Sequence, residues 1–422
     1  MRKICYQILK DFEQNGTYLN LAIKGIDSEK YPVNQIAVRV YGIVQNNELL
    51  DYLVDELVGR VKVDKNVRLI LKMQIFEYRF LNKDIHVISS EGVNLAKRYV
   101  KSASGFVNVN LRKVEMIKDL EPTFANQEKN ISIKYSHPRF IVKKLMKQYP
   151  NDFEQILASN TVKKDTFVRK VKELSKPEDF TAVKEFDDLY VYQGTAIVNH
   201  DDFKQKNIII QDLGSYLVGK LVSANAEEEV LDLCAAPGNK TMHIAKTAKL
   251  VVANELHEHR AKLIEDNKKV HNITNIQVIN SDASNNQQLT EALNTAKLPQ
   301  SYDKILIDAP CSGWGVIKSK PEIKYNHDQN DVEAIKNISV EIVKNSINYL
   351  KQGGQIIFST CTLNREENDY LINELLTELN LREVKDAGLL EFTKSDIELG
   401  IMLKNYTYNS DSFYMIKLEK ND

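Results

Sequence analysis

Glu229-Val230-Leu231-Asp232-Leu233-Cys234-Ala235-Ala236-Pro237-Gly238-Asn239-Lys240-Thr241 reads as a short apolar strand that breaks at a proline–glycine turn and re-enters helix. Downstream of it, strand-like runs at 230–233, 250–254, 276–279, 304–307 and 355–359 alternate with helix-like stretches. That alternation is the signature of a parallel, doubly wound α/β sheet. Ligands of such sheets bind beyond the carboxyl ends of the strands, so the residues that follow each run are the candidates for chemistry.

The first of these strand ends sits where a nucleotide is commonly held, between strand one and a helix N-terminus. A dinucleotide fingerprint needs three glycines there and a Walker loop needs Gly-x-x-x-x-Gly-Lys. Only Gly238 is present. The loop Cys234, Ala235, Ala236, Pro237, Gly238, Asn239 and Lys240 therefore suits a nucleoside without phosphates, and S-adenosylmethionine is such a ligand. Glu255, 17 residues after Gly238, ends strand two, where a carboxylate can accept both ribose hydroxyls. Asp282 ends strand three on the adenine side, and Asp308 ends strand four. One acid in such a place is more often solvated than functional. Acids at successive strand ends make chance a poor account.

Two cysteines also stand at strand ends. The run 304–307 leads into Asp308-Ala309-Pro310-Cys311-Ser312-Gly313, and 355–358 leads into Ser359-Thr360-Cys361-Thr362. A single cysteine reads first as a small buried hydrophobe. A pair at equivalent positions points to thiol chemistry, because cysteine is a strong nucleophile even at a modest thiolate fraction.

The chain has 422 residues, 43% hydrophobic and 27% charged, which is ordinary for a globular protein and long enough for two or three domains. No apolar run approaches the roughly 20 residues of a membrane helix, and Lys10, Asp11 and Glu13 interrupt the start before any secretory h-region. The four cysteines contain no Cys-x-x-Cys, which argues against a zinc knuckle and a disulfide framework. A reduced, cytoplasmic protein is expected, monomeric and with no structural metal and no membrane partner. Net charge is −1 but unevenly spread: residues 1–172 hold 30 Lys+Arg against 19 Asp+Glu, a balance of +11. Residues 129–172 alone hold 11 basic and 3 acidic residues, with Lys143, Lys144, Lys147, Lys163 and Lys164 among them. A basic half in an otherwise acidic chain fits a polyanion tether.

Residues 1–120 read as helices, with packed pairs expected over 66–81 and 89–100 and another helix over 106–120. Polar residues 122–135 read as a linker, and His137-Pro138-Arg139-Phe140 opens a basic helix to Tyr149. The expected organisation is a helical domain over 1–125, a small basic α+β domain over 126–225 and an α/β domain over 226–422.

With these pieces assembled, the chain resembles the RNA cytosine-5 methyltransferase family. The likeness rests on Asp232–Thr241, Asp308–Gly313 and Ser359–Thr362 with Glu366-Glu367-Asn368. Within that family it is most similar to the RsmB type, which methylates small-subunit ribosomal RNA. The segments 66–80, Glu91–Lys97 and Gly105–Asn108 resemble the NusB-type RNA-binding helical domain of that group. The resemblance implies a multidomain chain: an all-α NusB-like domain, a small mixed linker domain, and a Rossmann-like domain dependent on S-adenosylmethionine. It implies methylation of carbon-5 of a 16S ribosomal cytidine, in naked or early-assembly RNA, through a covalent cysteine adduct. Cys361 would be the nucleophile, Asp308 the partner of ring nitrogen 3, Cys311 the group that assists release, and Lys240 a charge supporting the thiolate. The family usually has Gly-Gly-Lys where this chain has Gly238-Asn239-Lys240, and Asp-Gly-Phe-Phe where it has Asp411-Ser412-Phe413-Tyr414. An Arg-His-Pro is likewise replaced by Ser319-Lys320-Pro321. The competing readings are a non-catalytic RNA-binding assembly factor and a methyltransferase acting on another RNA such as tRNA. DNA cytosine enzymes lack the later Thr-Cys, and amino-methylating enzymes carry an Asn/Asp-Pro-Pro-Tyr loop that is absent here.

Overall fold

The structure, a computed structural model, describes residues 1–59, 61–326 and 328–421. The chain divides into a helical unit, residues 1–161 with 319–326, and an α/β unit comprising 162–318 and the chain after 326.

In the helical unit, local start signals set the helices. Asp64 accepts from the Asn66 N–H ahead of helix Lys65–Arg79, and Asp84 accepts from the His86 N–H ahead of helix Ile85–Tyr99. Leu69, Ile70, Leu71, Met73, Ile75 and Phe76 are all buried, so Lys65–Arg79 is the core helix, apolar on nearly every side. Its one internal acid, Glu77, is matched by Arg39 at 2.7 Å and by Arg2 at 2.5 Å. The helix expected over 106–120 is shorter. It stops at Leu111, and a 3₁₀ turn follows at Val114–Ile117, where Arg79 donates to the carbonyls of Ile117 and Leu120 in place of helical partners.

The expected linker domain over 126–225 is divided between the units. Helices Gln127–Lys134, Arg139–Gln148 and Phe153–Ser159 lie in the helical unit, where Gln45 Nε2 donates to the Asn160 carbonyl and the Glu48 N–H to Ser136 Oγ. The rest forms an antiparallel four-stranded sheet of β1 (Thr166–Lys170), β2 (Phe180–Ala182), β3 (Leu189–Tyr192) and β4 (Ile208–Ile210), in the order β2-β3-β1-β4. Phe167, Leu189 and Ile209 of this sheet share one buried cluster with Val230, Leu306 and Ile357, so it belongs to the α/β core. Residues 319–326 go the other way. Lys324, fully buried, donates to the carbonyls of Gln45 and Ser136, both at 2.7 Å, and burial pushes its ammonium down to about 7.

The α/β unit is built on β5 (Glu229–Asp232), β6 (Leu250–Glu255), β7 (Ile276–Asn280), β8 (Tyr302–Asp308), β9 (Leu350–Thr360), β10 (Leu381–Glu383), β11 (Ile401–Leu403) and β12 (Phe413–Lys420). Among the described residues the order is β10-β12-β9-β8-β5-β6-β7, with β11 paired to β12. The strands β5 to β9 are parallel and contain the five expected runs apart from Leu233, while β10, β11 and β12 add an antiparallel edge. Strand order reverses between β5 and β8, which places the crevice of a doubly wound sheet at their carboxyl ends. No helix among the described residues is long and apolar enough to cross a membrane.

Candidate active site

At the end of β5 the chain is pulled together by side chains of the loop itself. Thr241 Oγ1 donates to Asp232 Oδ2 at 2.7 Å, joining strand end to helix start. Asp232 is fully buried and its Oδ1 has no partner; desolvation raises its carboxyl to about 7, with the charge of Asp308 adding and Thr241 and Lys240 opposing. Gly238 has φ +101°, which favours glycine, and a Cβ there would lie tightly at 3.3 Å from the Ile264 side chain. Asn239, the unusual residue, opens the helix Asn239–Ile244 and donates to the Ile210 carbonyl at 3.3 Å. A second glycine is not needed there.

Glu255, at the end of β6, is 3% exposed. Its Oε2 accepts from the Ala236 N–H at 3.3 Å, its Oε1 accepts from the His257 N–H at 3.2 Å, and Arg260 pairs with Oε1 at 3.2 Å. Asn254 donates to the carbonyls of Leu233 and Ser281, both at 3.1 Å, locking three strand ends in register. Asp282, two residues past β7, accepts from the Ser284 N–H and hydroxyl through Oδ1. A carboxylate has about four acceptor sites, three of them met here, so Glu255 keeps capacity for a hydroxyl. A buried acceptor beside the loop backbone, at the switch point of a parallel sheet, fits the ribose of S-adenosylmethionine; residues 234–240, Glu255, Asp282 and Asp308 would hold that cofactor. Glu255→Gln keeps the shape but offers one accepting end, and cofactor affinity is expected to fall by about 1–3 kcal/mol. Titration calorimetry checks this, and an unchanged dissociation constant would return Glu255 to a purely local role.

The other strand ends carry Asp308 and the two cysteines. Asp308 accepts from Lys240 Nζ at 2.7 Å through Oδ2 and from Ser359 Oγ at 2.8 Å through Oδ1. Lys240 also lies over the Phe413 ring, 4.9 Å from its centre. Lys240 is therefore a hydrogen-bonded partner of the carboxylate, not of either thiol. The β8–β9 pairing runs to Asp308 opposite Ser359 and is extended by Ala309 N–H to the Ser359 carbonyl at 2.8 Å. The two chains then carry Cys311 and Cys361 into contact, sulfur to sulfur 3.5 Å. The hydrogen bond from Cys361 and desolvation raise the Cys311 thiol well above its ordinary value, and the charge of Glu367 adds to this. Desolvation likewise raises Cys234, which faces Asp232, Asp308 and Glu255, so it is no competing nucleophile.

Close backbone packing holds the cysteine loops. The Gly315 N–H donates to the Cys361 carbonyl at 2.9 Å, and the Ser412 N–H to the Gly315 carbonyl at 2.9 Å. A Cβ at Gly315 would fall 2.4 Å from the Ser412 oxygen. Ser412, where glycine is usual, has its hydroxyl accepting from the Asn405 N–H at 2.8 Å, which explains how a side chain is accommodated. The structure thus brings Asp308, Lys240, Cys311 and Cys361 to adjacent strand ends, with Glu255 and Asp282 at the ends of the strands beyond. Sequence reasoning left out Ser359, Arg260, Phe413 and above all Glu367, although Glu367 stands in the quoted Glu-Glu-Asn. Among the described residues no group of three or more His, Cys, Asp or Glu could hold a metal ion.

Residues 220–419 match the family described as "16S rRNA methyltransferase RsmB/F", and residues 1–116 match the NusB family. A Bacillus subtilis (strain 168) protein named "Probable ribosomal RNA small subunit methyltransferase B" is 29% identical, with 90% of this chain and 88% of that protein covered. A Vibrio cholerae protein named "Ribosomal RNA small subunit methyltransferase B" is 26% identical, over 80% of this chain and 79% of its own. The crystal structure of PH0851 superposes with a TM-score of 0.74 at 21% identity, covering 95% of this chain and 94% of that one. At that identity the likeness speaks for the fold.

Proposed function

We propose that this chain, which belongs to the 16S rRNA methyltransferase RsmB/F family through residues 220–419 and to the NusB family through residues 1–116, methylates carbon-5 of a cytidine. The family is one of S-adenosylmethionine-dependent methyltransferases of small-subunit ribosomal RNA. The proposal adds the atom and the route: a covalent adduct on Cys361. One observation carries it, the 3.5 Å contact of Cys311 and Cys361 beside the Asp308–Lys240 pair. Few reactions use two thiols in the absence of a metal or a disulfide.

Carbon-5 of cytosine is a poor nucleophile. Addition of the Cys361 thiolate to carbon-6 forms the S–C6 bond and pushes the C5=C6 electron pair into the ring, making carbon-5 enamine-like. Asp308, as the acid, gives a proton to ring nitrogen 3 as the adduct forms, which neutralises the negative charge that develops there, and takes it back when C5=C6 reforms. Lys240 and Ser359 hold its two oxygens in place. S-adenosylmethionine, when bound, supplies an electrophilic methyl group. Cys311, once its own proton has passed to solvent, accepts the proton from carbon-5; C5=C6 reforms and Cys361 leaves as thiolate. The target base must be unstacked to enter, which favours naked or early-assembly RNA. Incubating the protein with small-subunit RNA and a methyl-labelled donor, followed by nucleoside mass spectrometry, tests the proposal. Label in 5-methylcytidine is the expected result; label only in another nucleoside rejects it.

Part of the basic stretch is suited to hold that RNA. Lys143 and Lys147 are exposed on helix Arg139–Gln148, and Lys144 is half-buried on it. Lys164 is committed to Asp411 at 2.5 Å and Asp212 at 2.9 Å, which takes it out of the tethering set. Replacing Lys143, Lys144 and Lys147 by Gln is expected to weaken RNA binding while sparing cofactor affinity. The salt dependence should flatten by roughly 0.7–0.9 in slope for each phosphate that is no longer neutralised. Filter binding across a salt series measures it, and superimposable slopes would assign these lysines to solvated surface.

A further inference from the structure

We propose that Glu367 is a positioning residue that braces both cysteine loops and so sets how the two sulfurs meet. The proposal rests on the roles given above to Cys361 and Cys311.

Glu367 is a 3% exposed carboxylate that forms no ion pair among the described residues. Its acceptors are instead filled by neutral donors from both loops. From the loop after Cys311, the Ser312 N–H reaches Oε1 at 2.7 Å and Ser312 Oγ reaches Oε2 at 2.6 Å. From the loop after Cys361, Asn364 Nδ2 reaches Oε2 at 2.9 Å. Thr362 Oγ1 stands 3.4 Å from Oε2 and 2.8 Å from Ser312 Oγ. A serine hydroxyl has one proton. Ser312 gives it to Glu367, so the short Ser312–Thr362 bond is donated by Thr362. The residues immediately following the two cysteines are therefore tied to each other and to one carboxylate. Because that carboxylate only accepts, its charge form orders every hydroxyl in the set.

This arrangement bears on the thiols in two ways. Ser312 and Thr362 are the covalent neighbours of Cys311 and Cys361, so the brace sets the spacing at which the sulfurs meet. Glu367 also adds to the forces that raise the Cys311 thiol, and burial raises the Glu367 carboxyl itself.

The test uses the full chain with Glu367→Gln, whose amide end cannot accept from Ser312. Alkylation by iodoacetamide across pH, mapped to Cys311 and Cys361 by peptide mass spectrometry, needs neither RNA nor cofactor. The Cys311 midpoint is expected to fall by roughly one pH unit, with a smaller movement at Cys361. Turnover should drop on the order of 10- to 100-fold with little change in KM for RNA. Wild-type alkylation midpoints in Glu367→Gln overturn the proposal, whether turnover is kept or is lost along with thermal stability, since the latter pattern is that of a structural prop. If Glu367→Gln fails to fold, Ser312→Ala removes the hydroxyl that ties Glu367 to Thr362 while keeping the carboxyl: unmoved midpoints overturn, a displaced Cys311 midpoint supports. Should the wild-type protein make no 5-methylcytidine, the function reading falls, while the alkylation shift still decides whether Glu367 separates the thiols.

Discussion

Cys361→Ser is expected to lose turnover by on the order of 10⁴-fold or more and to form no covalent RNA species under any condition. A serine hydroxyl is far less acidic than a thiol, and among the described residues Lys240 is spent on Asp308 and Cys311 is itself raised above its ordinary range. Without the S–C6 bond, carbon-5 stays unreactive however well base and cofactor are bound. Cofactor affinity should stay near wild type, since Glu255 and the 234–240 loop belong to other strand ends. Single-turnover methylation and denaturing gels measure both effects. Methyl transfer at the wild-type rate would remove Cys361 from the nucleophile role.

Cys311→Ser should give the opposite picture on the same gel. Addition at carbon-6 and methyl transfer can proceed, but the proton on carbon-5 has lost its acceptor, so the adduct accumulates. A protein–RNA band resistant to denaturation is expected when the methyl donor is present, together with a fall in multiple-turnover rate of roughly 10²–10⁴-fold. The 3.5 Å sulfur contact makes the effect specific, because no other thiol among the described residues is hydrogen-bonded to Cys361. If Cys361→Ser traps RNA and Cys311→Ser does not, the two roles are exchanged. If neither variant traps RNA, release does not depend on a second thiol.

Much of this is legible in the order of residues alone. The five parallel strands are local apolar runs, and the observed strands contain nearly all of each one. The acids and cysteines at their ends can be named because chemistry in a doubly wound sheet is confined to one edge. The glycine at 238 can be singled out, though only the left-handed backbone and the nearness of Ile264 show why it is fixed while Asn239 next to it is free to vary.

What the sequence by itself determined, then, is the kind of each element and the strand ends where reactive groups stand, since both depend on neighbours a few residues apart. Tertiary structure decided which of those groups meet. Cys311 and Cys361 are separated by 50 positions and touch because β8 and β9 pair in a register that sets Asp308 opposite Ser359. Glu367 lies 55 positions from Ser312 and became the hub of both loops only through burial. Lys164, indistinguishable in sequence from its basic neighbours, is neutralised by acids 48 and 247 positions away. The boundary expected near 125 moved to 161 because Phe167, Leu189 and Ile209 complete the core of the large sheet, whereas the helices before them hydrogen-bond into the helical unit. Burial of apolar surface has no direction along the chain and pools side chains from any distance; strand register then fixes which polar groups are left facing one another.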